Sequence, residues 1–131
     1  MITSISKDKD YLTEISNGEE GVAKIYADIP VDQGGEGKNM RPGEILLSGW
    51  AACMNITARK YLNRDNIKFD KVVVKVDINK DEEGISKFYS KIEIFADVPQ
   101  KVKDRIIEEV KDCPVCDTLK RTAQLLDLEQ Y

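Results

Sequence analysis

The chain has 131 residues, of which 41% are hydrophobic and 34% are charged, and its formal net charge is −4. This length suits a single domain over residues 1–131, and the composition is typical of a soluble globular protein rather than a disordered one. The 20 basic residues are interspersed with 24 acidic ones, which argues against a nucleic-acid partner. No histidine is present, which excludes an imidazole base or a histidine metal ligand within the chain.

Targeting signals and cysteine number indicate the compartment. No N-terminal stretch has the basic-then-apolar pattern of a signal peptide. The longest uncharged apolar segment, ILLSGWAACMNITA, is shorter than the roughly 20 residues that cross a bilayer, so no membrane partner is expected. Three cysteines are an odd number in a chain with no export signal. We therefore expect a cytoplasmic protein whose cysteines are reactive, buried or metal-bound rather than structural bridges.

The first predicted elements are weak strands followed by a loop. NGEEG, at Asn17–Gly21, is a turn signal between two such strands, and VAKIYADIP after it has strand character. The glycine-rich VDQGGEGKNM predicts a mobile loop. A phosphate-binding loop is not expected there, because the fixed glycine spacing with Lys-Ser/Thr is missing.

A helix is predicted to begin at Pro42, because proline is well tolerated in a first helical turn. Glu44 suits the same turn, since a carboxylate offsets the positive end of a helix. From Ile45 to Ala58 no residue is charged, and apolar side chains occur on every face. A helix of this kind is usually buried on all sides. In so short a chain it has to be wrapped by the remaining elements or by a second subunit.

Two strands and two helices are predicted next. KVVVKVDIN and FYSKIEIFADV alternate with the two-residue period of half-buried strands, and KDEEG is the turn between them. Pro99 and Pro114 each begin a helix with apolar residues on one face. This order of elements favours an antiparallel α+β domain. The residues predicted to face inward are Val72, Val74, Val76, Ile78, Ile92, Ile94 and Ala96 on the strands, and Val102, Ile106, Val110, Val115, Leu119 and Ala123 on the helices.

Each cysteine has a structural and a functional interpretation. Cys53 lies within the apolar helix and is either a small core residue or a thiol at the floor of an apolar pocket. Cys113 falls where the N-cap of the last helix is expected, and Cys116 falls in its first turn. Unpaired backbone N–H groups and the helix dipole favour a thiolate at such positions. The alternative is that both are inert thiols near a helix start.

A metal site and an independent dithiol are two further interpretations of the cysteines. The C-x-x-C pair offers two ligands and Cys53 a third, whereas a closed zinc site needs four, so we expect no metal and no cofactor. A Cys113–Cys116 dithiol acting in disulfide exchange stays open. In thioredoxin-like proteins, however, this motif opens a helix directly after a strand, and here it follows a helix.

Two stretches taken together, RPGEILLSGWAAC (41–53) and CPVCDTL (113–119), resemble the two cysteine motifs of the OsmC/Ohr family of osmotically induced and organic-hydroperoxide-resistance proteins. The resemblance covers roughly residues 34–122. It implies an α+β OsmC-like fold in which antiparallel sheets enclose a long buried central helix. It also implies that two chains interlock as a homodimer, with a site at each interface.

The resemblance implies chemistry as well. Cys53 would be the peroxidatic thiol, which attacks an organic hydroperoxide and becomes a sulfenic acid, and Cys113 would be the resolving thiol that condenses with it. An external dithiol would then restore both. Candidate apolar walls, which would favour a hydrophobic peroxide over hydrogen peroxide, are Leu46, Trp50 and Met54.

The chain departs from the family pattern near the helix start. Peroxidase members place a glutamate directly after the proline, paired with an arginine from the N-terminal strands, whereas here that position is Gly43 and Glu44 follows it. Nine residues separate Glu44 from Cys53, so on a straight helix they point to opposite sides. Arg41 is the nearest candidate arginine, and Cys116, where the family often has histidine or serine, could offer either other cysteine a second partner. These departures resemble the less characterised OsmC-like branch. They motivate the alternative that the protein binds a small apolar or acyl ligand without turnover.

Overall fold

The computed structural model describes residues 1–7, 11–18, 23–121 and 123–130. The chain divides into two compact units, Met1–Ser48 and Gly49–Tyr131, and the boundary between them falls within the longest helix. The single domain expected from the length stays a prediction. In chain order the strands and α-helices are β1 (Thr3–Ser6), β2 (Thr13–Ser16), β3 (Lys24–Ala27), α1 (Pro42–Arg64), β4 (Lys71–Lys80), β5 (Ser86–Phe95), α2 (Gln100–Val110) and α3 (Pro114–Lys120).

The first unit carries a three-stranded antiparallel sheet in the order β1-β2-β3. Its register pairs Ile15 in the middle strand with Ser4 on one side and Ile25 on the other. The strand predicted in VAKIYADIP is confirmed over Lys24–Ala27. The turn predicted at Asn17–Gly21 lies partly outside the described residues, which break off after residue 18.

The loop between β3 and α1 has internal structure. A short 3₁₀ turn spans Val31–Gln33. The buried Asp28 carboxylate accepts hydrogen bonds from the backbone N–H groups of Ile29, at 2.8 Å, and Glu36, at 3.1 Å. A Cβ at Gly35 would lie 2.1 Å from the carbonyl oxygen of Ile29, so only glycine allows this close approach. The glycine-rich segment is therefore a folded loop, and its mobility stays a prediction.

Helix α1 begins at Pro42, as the sequence predicts. Its buried residues form a single stripe with a spacing of four: Trp50, Met54, Ala58 and Leu62. Apolar side chains on its other faces remain uncovered, and that of Ile56 is 46% exposed. The burial expected on all sides thus holds for one face, because the elements of a single chain cover only that stripe.

In the second unit, β4 and β5 form an antiparallel hairpin that runs from Lys71 opposite Phe95 to Lys80 opposite Ser86. The side-chain amide of Asn55, on α1, donates a hydrogen bond to the backbone carbonyl of β4 residue 72 at 2.9 Å, which ties helix to sheet. The alternation predicted for the hairpin is confirmed by its buried residues, Val72, Ile92 and Ile94.

The last two helices begin at the predicted prolines. Pro99 is the N-cap of α2, and Pro114 is the first residue of α3. Helix α3 ends at Lys120, so Ala123, which was predicted to continue its apolar face, lies beyond it. No helix within the described ranges combines the length and the apolarity needed to cross a membrane. The inward face of α2 is confirmed by its buried residues, Ile106 and Val110.

Replacing Leu62 by alanine is expected to lower the free energy of unfolding by about 2–5 kcal/mol, because the side chain is fully buried and its loss leaves a cavity. The same replacement at Leu46, in the same helix but 54% exposed, is expected to change it by about 0.5 kcal/mol or less. Urea unfolding followed by circular dichroism measures both. Equal effects in the two variants would contradict the one-sided burial of α1.

Candidate functional site

The three cysteines of the chain meet in the second unit. Cys53 lies on α1, Cys113 is the N-cap of α3, and Cys116 lies in the first turn of α3. The Cys113 thiol lies close enough to the side chains of both Cys53 and Cys116 for each of them to affect its pKa. All three are free thiols. Two residues far apart in sequence, Cys53 and Cys113, are thereby brought together, and Cys113 is the central sulfur of the cluster.

The Cys-Pro sequence explains how Cys113 reaches this place. A residue before proline is restricted to extended backbone, and proline favours the first helical position. Cys113 accordingly has φ −61° and ψ 154°, and Pro114 begins α3. Its side chain folds back over the helix start, where Sγ accepts a hydrogen bond from the backbone N–H of Cys116 at 3.3 Å.

The protonation of Cys113 is set mainly by its burial. Only 1% of its surface is exposed, and the pKa of the thiol is raised from the ordinary 9.0 to about 12, with burial as the largest cause. Interactions with the side chains of Cys116 and Cys53 contribute to this rise, whereas the hydrogen bond from the backbone N–H of Cys116 lowers the pKa. The thiolate expected from the helix start is therefore wrong for Cys113, because loss of solvent outweighs that N–H. At neutral pH this sulfur carries a proton.

Cys53 differs from Cys113 in accessibility. It is half-buried, whereas Cys113 is buried. Within the described residues, no group of three or more cysteine, aspartate or glutamate side chains is arranged to hold a metal ion. Of the two thiols that meet across the sequence, Cys53 is the one that a molecule from solution reaches more readily.

Cys116 is held by a buried tryptophan. The indole N–H of Trp50 donates a hydrogen bond to Cys116 Sγ at 3.2 Å. The Cys116 thiol in turn points at the backbone carbonyl of Val110, with Sγ and O 3.8 Å apart. Trp50 itself packs edge-on against Phe88, with ring centroids 5.6 Å apart and an interplanar angle of 86°. These contacts fix the position of the Cys116 sulfur.

An apolar cavity of about 240 Å³ opens beside this sulfur. Two of the candidate wall residues from the sequence, Trp50 and Met54, line it. The third, Leu46, lies in the first unit and is exposed. Of the three cysteines, Cys116 is the one in the cavity wall. The complete lining is Trp50, Met54, Phe88, Ser90, Lys111, Cys116, Leu119 and Lys120.

The contribution of β5 to this cavity was not predicted from the sequence. Phe88 and Ser90 lie on the same side of the strand as Ile92 and Ile94, because side chains alternate with a period of two. The alternation of β5, extended from Ile92 back towards the start of the strand, would have predicted that Phe88 and Ser90 face inward.

The two lysines at the cavity have partners. The Lys120 ammonium donates to the backbone carbonyl of Lys111 at 2.8 Å and pairs with Asp112 at 3.1 Å. The Lys111 ammonium pairs with Glu108. The cavity wall is therefore mainly apolar, and both of its ammonium groups are paired with surface carboxylates, which suits an uncharged molecule.

Arg41 and Glu44 stand at the start of α1, in the first unit. The backbone N–H of Arg41 donates to the Glu44 carboxylate at 2.8 Å, and the two side chains approach to 3.9 Å. Both side chains are more than half exposed. The Glu44 carboxylate thus satisfies a free backbone N–H at the helix start. A supporting role of either residue in thiol chemistry stays a prediction.

The raised pKa of Cys113 predicts a loss of stability at alkaline pH. Between pH 9.0 and about 12 the unfolded chain has released this proton while the folded chain keeps it. The contribution to stability is therefore complete below pH 9.0 and declines above it, by at most about 1.4 kcal/mol per pH unit. Urea unfolding of wild type and Cys113→Ser under reducing conditions measures the effect. The gap between the two free energies of unfolding should narrow as the pH rises, and parallel profiles would contradict the prediction.

The chain has recognisable relatives at the level of the family. A family model described as OsmC-like protein matches residues 35–126. No curated protein sequence matches significantly.

Solved structures share the fold at low sequence identity. An OsmC-like protein from Mycoplasma pneumoniae has a TM-score of 0.73 and 23% identity, with 92% of this chain and 86% of that chain covered. An osmotic stress induced and detoxification response protein from Psychrobacter arcticus has a TM-score of 0.72 and 20% identity, with 90% and 88% covered. The organic hydroperoxide resistance protein OhrB of Bacillus subtilis has a TM-score of 0.62 and 17% identity, with 92% and 89% covered. Since the family model matches more than half of the chain, the protein belongs to the OsmC-like family and has its α+β fold.

Proposed function

We propose that this protein is a thiol-dependent reductase of organic hydroperoxides that works through Cys53 and Cys113. The observation that carries the proposal is that these two thiols, 60 residues apart in sequence, lie close enough for Cys53 to affect the pKa of Cys113. Membership of the OsmC-like family supports it, and so does the likeness to a structure named as an organic hydroperoxide resistance protein. We place the reaction in the cytoplasm, as the cysteine usage indicates.

The two thiols have different parts in this reaction. A thiolate is the attacking form of cysteine, and the Cys113 thiol, with a pKa of about 12, is protonated at neutral pH. The first attack therefore falls to Cys53, which is also the more accessible of the two. Cys113 is then the resolving thiol and supplies a proton.

The reaction balances with these two thiols and one hydroperoxide. The Cys53 sulfur attacks the O–O bond, which breaks, and the alcohol leaves while Cys53 becomes a sulfenic acid. The Cys113 sulfur then attacks the Cys53 sulfur, the S–O bond breaks, and water leaves with the Cys113 proton. The product is a Cys53–Cys113 disulfide. An external dithiol returns two electrons and two protons and is itself oxidised to a disulfide.

An organic rather than an inorganic peroxide is favoured by the apolar surroundings. Met54, which follows Cys53 on α1, lines the cavity together with Trp50 and Phe88, and Cys53 itself lies outside the cavity wall. Burying an alkyl or aryl group there gains free energy from the hydrophobic effect, which hydrogen peroxide cannot gain.

A homodimer is part of the proposal. Large apolar side chains of α1 are uncovered in the single chain, among them Leu46 at 54% and Ile56 at 46% exposure. Exposed apolar surface of this kind is typical of an interaction site. A second copy of the chain is the partner that the resemblance to the family implies.

Single-turnover oxidation tests the reaction. Reduced wild-type protein mixed with one equivalent of cumene hydroperoxide is expected to lose the mass of two hydrogens, measured on the intact protein. Cys53→Ser should show no such loss, and Cys113→Ser should gain one oxygen in a form that dimedone traps, because its sulfenic acid has no resolving thiol. Peroxide consumption by Cys53→Ser at the wild-type rate would contradict the assignment of Cys53.

A second candidate function, ligand binding without turnover, is favoured by the cavity itself. Its volume of about 240 Å³ lies below the roughly 300–1,000 Å³ of sites for drug-sized ligands, so the ligand would be small. The apolar wall suits an alkyl, aryl or short acyl group.

A variant without thiols separates this candidate from the reductase. Cumyl alcohol, which resembles the hydroperoxide but cannot oxidise, is expected to stabilise the Cys53→Ser/Cys113→Ser/Cys116→Ser protein by about 2.7 kcal/mol at a hundred times its Kd. Thermal unfolding with increasing ligand measures the shift. If Tm stays constant, the cavity is no site for such ligands.

A further inference from the structure

Cys116 has no part in the reaction proposed above, although it touches the same sulfur. Cys113 is the neighbour of both other thiols, since each of them affects its pKa, so it is the sulfur that can bond to either. The backbone N–H of Cys116 already donates to Cys113 Sγ at 3.3 Å. The cluster is thus a chain of three sulfurs in the order Cys53, Cys113, Cys116.

We propose that Cys116 is a third redox thiol, which takes over the disulfide from Cys53 and presents it to a small dithiol in the apolar cavity. The inference rests on the proposed function and adds the route by which reducing equivalents enter the site. Its basis is the order of the three sulfurs and the position of the last one in the cavity wall.

The transfer is an exchange that conserves electrons. The deprotonated Cys116 sulfur attacks the Cys113 sulfur of the Cys53–Cys113 disulfide. That S–S bond breaks, a Cys113–Cys116 bond forms, and Cys53 leaves as a thiolate, ready for the next hydroperoxide. The dithiol then attacks the new disulfide, is oxidised to its own disulfide, and leaves Cys113 and Cys116 as thiols.

The direction of the exchange follows from the chemistry of Cys113. A sulfur leaves a disulfide more slowly the higher its pKa, and burial raises the pKa of Cys113. Attack on the Cys53 sulfur would have to expel Cys113, whose raised pKa makes it a poor leaving group. Attack on the Cys113 sulfur expels Cys53 instead, and that sulfur is also the one that Cys116 faces.

The position of Cys116 suits the last step. Its sulfur stands in the cavity wall and accepts the Trp50 indole N–H at 3.2 Å, a group that can only donate. The residue is 6% exposed, so a dithiol reaches it through the cavity and not across the open surface. Because the cavity is small, mainly apolar and has its lysines paired, the dithiol that fits is small and uncharged.

Disulfide mapping over time tests the transfer. Tryptic fragment 39–59 contains Cys53, and fragment 112–120 contains both Cys113 and Cys116. A Cys53–Cys113 disulfide joins the two fragments, whereas a Cys113–Cys116 disulfide stays within one and removes two hydrogens. Samples oxidised with one equivalent of cumene hydroperoxide are quenched with N-ethylmaleimide in acid at successive times and analysed by mass spectrometry.

In the wild type the cross-link between fragments is expected to appear first and then fall at least tenfold while the disulfide within fragment 112–120 grows. In Cys116→Ser, and in Cys116→Ala as a second variant, the cross-link should persist until dithiothreitol is added. A cross-link that persists equally in the wild type would overturn the transfer. So would a Cys113–Cys116 disulfide that forms as fast in Cys53→Ser as in the wild type, because Cys53 would then be unnecessary.

Oxidation with diamide in place of the hydroperoxide separates this inference from the proposed function. If diamide yields the cross-link and its decay while the hydroperoxide yields neither, the reductase proposal fails and the transfer stands. If diamide yields no Cys53–Cys113 cross-link at any time, the transfer is overturned whatever the hydroperoxide does.

Discussion

The buried sulfur atom of Cys113 lies where helix α1 meets the start of helix α3 in the second unit. The same atom accepts a hydrogen bond from the backbone N–H of Cys116 in the first turn of α3 and lies near the thiol of Cys53 on α1. Burial keeps it protonated, and proline fixes its backbone in the extended conformation that turns the side chain inward. The arrangement of the other two thiols, one half-buried and one at a cavity, depends on this placement.

Much of the fold could be predicted because the relevant forces act locally. Pro42, Pro99 and Pro114 each mark a helix start, since a fixed φ and a missing N–H have the same effect in any context. The alternation of β4 and β5 was equally readable, because one face of a hairpin has to be buried. The expectation that Cys53 lies near Cys113 came from the family motifs, because no local rule provides it.

What could not be predicted depends on tertiary surroundings. Leu46 and Met54 are both apolar and fall on one stripe of α1, yet the first is exposed and the second lines the cavity. Which part of a stripe is covered depends on elements far away in sequence. The protonation of Cys113 was misjudged for the same reason. The helix start is visible in the sequence, whereas the extent of burial, which outweighs it, is not.

The capping sulfur has a consequence for the helix that it caps. When Cys113 enters a disulfide, the acceptor of the Cys116 N–H changes its charge distribution and its direction of approach. Since α3 has only 7 residues, its first turn is a large fraction of its length. Oxidation of the Cys113 sulfur therefore changes a hydrogen bond on which the first turn of a short helix depends. The backbone amide of residue 116, which makes that hydrogen bond, changes its environment each time the disulfide forms.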